Sequence, residues 1–82
     1  MNLYLISQNI NNDYDTYDSA VVVAESMEEA RNTHPNEDHE PNNEFYDYHD
    51  WVEPSEAYKI KVELIGTTDK EKGVILASFR AG

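Results

Sequence analysis

Apolar residues in this chain come in short runs, the longest being the five of residues 20–24, Ala-Val-Val-Val-Ala. That property restricts the fold. Runs of this length match strands, and they fall far short of the ~20 apolar residues a membrane-crossing helix needs. With 82 residues the chain has room for one core, and residues 1–82 are expected to form a single domain. No cysteine is present, so a disulfide framework, a thiolate metal site and a cysteine nucleophile are all excluded. The N-terminus has no basic segment ahead of an apolar one, so no export is expected and the cytosol is the natural compartment.

Residues 2–8, with Leu3, Tyr4, Leu5 and Ile6 in succession, predict a strand buried on both faces. The Asn- and Asp-rich residues 9–14 predict a turn, because these side chains bond locally to the backbone. Residues 17–24, carried by Val21, Val22 and Val23, predict a second strand that forms a hairpin with the first. Ser26-Met27-Glu28-Glu29 has the form of a capping box, in which Ser26 accepts from the Glu29 amide and Glu29 returns a bond to the Ser26 amide. The helix it starts is expected to end at 33 or 34, before Pro35, with Met27, Ala30, Arg31 and His34 on one face. Further on, Tyr58, Ile60, Val62 and Leu64 alternate with Lys59, Lys61 and Glu63, which predicts a strand with one buried face. The turn between Gly66 and Gly73 then suggests a second hairpin with a strand over 74–80.

The order β-β-α-β-β predicts a small α+β domain of about four mostly antiparallel strands, one short helix and a long acidic excursion over residues 35–57. A helix of about nine residues is ~13 Å long, whereas four strands span ~14 Å between outer axes plus their side chains. The helix alone therefore leaves part of the sheet uncovered. The cluster Phe45-Tyr46-Asp47-Tyr48-His49-Asp50-Trp51-Val52 is costly to leave wet, and part of the excursion is expected to fold back.

Charge is strongly segregated. Residues 1–57 hold 14 acidic side chains against one base, Arg31, a balance of −13, while residues 58–82 hold five bases against three acids, a balance of +2. A field of one sign this large opposes compaction, keeps a small protein soluble, and steers it toward cationic partners. It also disfavours direct binding to nucleic acid, since phosphates require clustered Lys and Arg.

Motifs for chemistry are missing from the sequence. His34, His39 and His49 stand among carboxylates, but His34 and His39 are five residues apart with Pro35 between them, which suits no helical ligand pair, so no metal is expected. The acidic stretch lacks the pattern of a calcium-binding loop. No serine lies in a Gly-x-Ser-x-Gly context, and no Gly-x-Gly-x-x-Gly occurs. Neither a catalytic residue nor a cofactor is expected, and the chain reads as a binding protein rather than an enzyme.

Met1-Asn2-Leu3-Tyr4-Leu5-Ile6-Ser7-Gln8, the segment from Tyr14-Asp15-Thr16-Tyr17 through Val22, the capping region with Ala30-Arg31, His34-Pro35 and the ending Gly73-Val74-Ile75-Leu76-Ala77-Ser78-Phe79-Arg80-Ala81-Gly82 resemble a family of small uncharacterised proteins of phages and prophages of proteobacteria. The resemblance covers the two ends and leaves about 35–57 as the variable part. The family ending is Phe-Asn-Ala-Gly, so Arg80 departs from it. The resemblance implies a phage or mobile-element context and the bacterial cytoplasm, and no activity. Small acidic phage proteins are often similar in kind to inhibitors of host defence, including anti-CRISPR proteins that occupy a basic nucleic-acid channel.

The expectation is therefore an acidic, DNA-mimic-type inhibitor of a basic nucleic-acid-binding protein such as a CRISPR effector, monomeric rather than dimeric. The alternative is a non-enzymatic phage accessory protein that binds a host or phage protein through an aromatic and acidic surface. The expected contact residues are Asp13, Asp15, Asp18, Glu37, Asp38, Glu40, Glu44, Tyr46, Asp47, Tyr48, Asp50, Trp51, Glu53 and Glu56. Alternate acids on a strand stand ~6.8 Å apart, whereas duplex DNA carries a charge per ~1.7 Å of axis, so several segments must converge to imitate it.

Overall fold

Strands form where the short apolar runs predict them, and the computed structural model describes residues 1–11, 16–36 and 51–80. In chain order these give β1 (Asn2–Ser7), β2 (Thr16–Ala24), helix α1 (Met27–Arg31), a 3-10 turn over Pro54–Lys59, β3 (Lys61–Thr67) and β4 (Gly73–Arg80). The result is a small α+β domain with one four-stranded antiparallel sheet among the described residues.

The sheet order is β3-β1-β2-β4, which corrects the expected second hairpin. β3 pairs with β1 and β4 with β2, so the last two strands occupy opposite edges. The physical reason lies in β1 and β2, whose side chains are apolar toward both faces and so take the centre. Residues 68–72 then cross three strand spacings, ~14 Å, a span that six peptide steps reach comfortably at about 3.4 Å each. Thr68 N donates to Met1 O at 3.0 Å, which fixes this connection across the end of β1.

Register sorts side chains between the faces. Tyr4 stands opposite Val22, and Ile6 opposite Ala20 and Val62, on the core face. Tyr4, Ile6, Ala20, Val22 and Ala24 pack there with Ala30 of α1 and with Trp51, Val52 and Ile60. Each fully buried aliphatic side chain contributes about 1.5–3 kcal/mol. The other face carries Leu3 opposite Val23, and Leu5 opposite Val21, which in turn stands opposite Leu76. Edge strand β3 bulges between the partners of Leu3 and Tyr4, and edge strand β4 one step further along the sheet, between the partners of Val22 and Val21.

Helix α1 is five residues long, shorter than expected, and ends at Asn32. Ser26 Oγ accepts from Glu29 N at 3.1 Å as the capping box requires, but the Glu29 carboxylate accepts from Glu25 N at 3.2 Å rather than returning to Ser26. With so short a helix, Ala30 is buried while Met27 stays exposed. Cover for the rest of the core face comes from the end of the excursion, where Trp51, Val52 and Ala57 join the core.

The start of β3 also differs from expectation. Tyr58 and Lys59 belong to the 3-10 turn that Pro54 opens with its preset φ, so Tyr58 points outward and is 74 % exposed. Ile60 is buried as the alternation predicts, but Leu64 is 60 % exposed, because it adjoins the bulge of an edge strand, where side chains are re-aimed.

Candidate functional site

Gln8 falls at the end of β1 on the core side of the period-two pattern, where a polar side chain must find partners. It finds four. Nε2 donates to Asn11 O and to Tyr17 O, both at 2.8 Å, while Oε1 accepts from Ile10 N at 2.9 Å and from Asn11 N at 2.7 Å. The full capacity of the side-chain amide is used to close the β1–β2 connection. Gln8 N donates to Asp18 O, which extends the pairing of the two strands by one step.

Held in this way, Asn11 donates from Nδ2 to Trp51 O at 2.9 Å. On the other side of the connection, the Tyr17 ring lies 4.8 Å from Phe79 and meets His34 edge-on at 6.3 Å. His34 Nδ1 accepts from Asn36 N at 2.9 Å, which fixes the chain just before residue 37. Residues 12–15 are thus flanked by Asn11 and Thr16, and residues 37–50 by Asn36 and Trp51, and these flanking residues gather around one end of the sheet. The two stretches contain eight of the chain's 17 acidic residues and no Lys or Arg.

Three lysines, Lys59, Lys61 and Lys72, face glutamates, and the Lys61 and Arg80 backbones pair with Ser7 and Thr16 at this same end of the sheet. Lys72 Nζ is 3.2 Å from Glu29 and 3.8 Å from Glu25, Lys59 is 3.2 Å from Glu56, and Lys61 is 2.9 Å from Glu63. The neighbouring carboxylate raises the pKa of each lysine, Glu29 for Lys72, Glu56 for Lys59 and Glu63 for Lys61. Glu29 is lowered, chiefly by the Glu25 backbone N–H and further by Lys72. Exposed pairs of this kind add little stability, but they neutralise lysines locally.

Of the expected contact residues, Asp13, Asp15, Glu37, Asp38, Glu40, Glu44, Tyr46, Asp47, Tyr48 and Asp50 lie outside the described residues, as do His39 and His49. Trp51 requires a correction: it is 4 % exposed and belongs to the core, so its indole anchors the excursion rather than meeting a partner. Its size explains this, since a wet indole would forfeit more burial than any other side chain here. Asp18 is half-buried at a bulge of β2, and its Oδ1 is enclosed with no hydrogen-bond partner, so it does not stand open on the surface. Glu53 is exposed ahead of the 3-10 turn, and Glu56 is bonded to Lys59.

No group of three metal-ligating side chains occurs among the described residues. No helix among them is long and apolar enough to cross a membrane. The organising residues Gln8 and Asn11 were absent from the expected contact set. Their signal was a glutamine in phase with Tyr4 and Ile6 immediately before an Asn-rich turn. No protein-family model matches the chain, and no curated protein or solved structure matches it either.

Proposed function

We propose that this protein is a non-enzymatic, phage-encoded inhibitor of a bacterial defence system, of anti-CRISPR type, which presents carboxylates to the basic nucleic-acid-binding surface of its target. The supporting observation is the common rooting of the two acid-rich stretches, through Asn11 and Trp51 on one side and Tyr17 and His34 on the other. The sequences of those two stretches hold eight acids and no Lys or Arg, and Lys59, Lys61 and Lys72 each face a glutamate. Convergence of two segments is what imitation of a polyanion requires, since one strand spaces its charges too widely. Attraction of this kind speeds encounter and weakens with salt.

Affinity capture from a bacterial lysate tests the proposal. The expected partner is a basic, nucleic-acid-binding protein held at low salt, released at high salt and displaced by duplex DNA. A partner retained through high salt and indifferent to DNA rejects mimicry. It would favour the second reading, a phage accessory protein that binds a host or phage protein through an aromatic and acidic surface. Tyr58, exposed beside Glu56 and Glu53, supports that second reading.

A further inference from the structure

Pro35 disfavours helical geometry at His34, so the chain leaves α1 there, and several contacts fix how it leaves. Thr33 is bound to the helix end, its N donating to Ala30 O at 3.1 Å and its Oγ1 to Glu29 O at 2.8 Å. Pro35 is buried, and the half-buried His34 ring meets Tyr17 edge-on at 6.3 Å. Across the turn, Asn36 N donates to His34 Nδ1 at 2.9 Å. An imidazole nitrogen that accepts carries no proton, so the neutral ring holds its proton on Nε2. A second proton has to enter at Nδ1, the atom this bond occupies.

We propose that His34 is a proton-operated latch, closed on the Asn36 amide while the ring is neutral and opened when Nδ1 is protonated. In the imidazolium both nitrogens are donors, so Nδ1 would face the Asn36 N–H donor to donor. Turn chemistry agrees. Nδ1 stands two bonds from Cβ, where asparagine and aspartate carry Oδ1, and those side chains characteristically accept from the amide two residues on. His34 closes the same turn with an acceptor that mild acid removes. Around it among the described residues stand Tyr17 against the ring, Asp18 next to Tyr17 on β2, Arg80 opposite Thr16 on β4, and Glu28, Glu29 and Arg31 on α1, with Lys72 paired to Glu29. Glu37 and Asp38 follow Asn36 in sequence. Of these side-chain types only imidazole ordinarily changes charge between about pH 5 and 8. Where residues 37–50 contribute to the acidic surface proposed above, mild acid then loosens its root at Asn36; that consequence rests on the proposed function, and the latch does not.

The test is NMR of the free, full-length chain from about pH 8 to about pH 5, following the His34 ring nitrogens and the Asn36 amide. At the alkaline end the ring should be the Nε2–H tautomer, and the Asn36 amide proton should lie downfield as a bonded proton does. As the ring titrates, that proton should move upfield with the same midpoint, while the Thr33 amide, held by Ala30 O, stays in place. His34→Asn supplies an acceptor that does not titrate, so the Asn36 amide should stay downfield throughout. His34→Phe keeps a ring beside Tyr17 and removes the acceptor, so that amide should lie upfield throughout. Near-UV circular dichroism of Trp51 shows whether each variant keeps its core. The readout needs no partner, so the latch and the proposed function fail separately. An Nδ1–H tautomer at the alkaline end overturns the proposal, as does a ring that stays neutral to the acid end or an Asn36 amide unmoved while the ring titrates. An equal step in folded His34→Asn also overturns it, because that variant retains every neighbouring group and lacks the imidazole.

Discussion

Asn11 donates a side-chain hydrogen bond of 2.9 Å to the backbone carbonyl of Trp51, forty residues further along the chain. Gln8 fixes the donor by two bonds to the Asn11 backbone, and burial of the indole fixes the acceptor. The bond thus ties a surface turn to the core at the point where the excursion rejoins the domain.

Loss of the Gln8 side chain should be more damaging than loss of Asn11. Gln8→Ala leaves two carbonyls and two amides of the connection without this partner and should cost about 2–3 kcal/mol, while Asn11→Ala removes one bond to Trp51 and should cost about 1 kcal/mol. Urea denaturation followed by tryptophan fluorescence measures both. Equal, small effects would refute the assignment of Gln8 as the organiser.

Trp51→Ala should destabilise by about 3–5 kcal/mol through the cavity it leaves, and Trp51→Phe by much less. In the native protein its emission should be blue-shifted and poorly quenched by iodide. Emission typical of a wet indole would contradict its place in the core.

The contact between α1 and residue 72 should show in pH dependence. Glu29 has a folded pKa below 4.5, so its contribution is present above 4.5 and fades as pH falls through the lower folded value. Lys72 has a folded pKa above 10.5, so its contribution is present below 10.5 and fades as pH rises through the higher folded value. Carboxyl-carbon NMR should place the Glu29 midpoint below 4.5 and show it rising in Lys72→Met. An unmoved midpoint would mean that the ion pair does not persist in solution.

Two glycines should respond differently to alanine. Gly73 has φ of 145°, a conformation that L side chains rarely adopt, so Gly73→Ala should cost about 1–3 kcal/mol. At Gly66 a Cβ would sit 3.7 Å from Leu3 Cδ1, an ordinary contact, and Gly66→Ala should be nearly neutral by thermal denaturation. The reverse order would contradict the backbone described at the start of β4.

Local signals carried far in this chain where one physical requirement acted alone. The Val21-Val22-Val23 run suits nothing but a strand, and Ser26 three residues before Glu29 marks the helix start that the structure contains. Strand order was less legible. The five polar residues 68–72 permit a hairpin or a crossing, and the choice depends on Leu3, Leu5, Val21 and Val23 holding the centre of the sheet, a property of four segments together. Tyr58 continued a period-two pattern by coincidence, and Pro54 four residues earlier decided its conformation. At the candidate site, the concentration of acid was plain from composition, and its rooting was not. The bond between Asn11 and Trp51 depends on a fully engaged Gln8, which no spacing rule encodes.

The most direct measurement of the central claim compares charge reversals at two places on the chain, read out as capture of a basic nucleic-acid-binding partner from lysate at low salt. Asp13→Lys with Asp15→Lys places cations between Asn11 and Thr16, whereas Glu25→Lys with Glu28→Lys changes the same number of charges beside α1. The expected result is a loss of capture of at least about tenfold for the first pair and little change for the second, each unit of 1.4 kcal/mol being tenfold in affinity. Equal losses would reduce the interaction to net charge. Undiminished capture by the Asp13 and Asp15 variant would contradict the account.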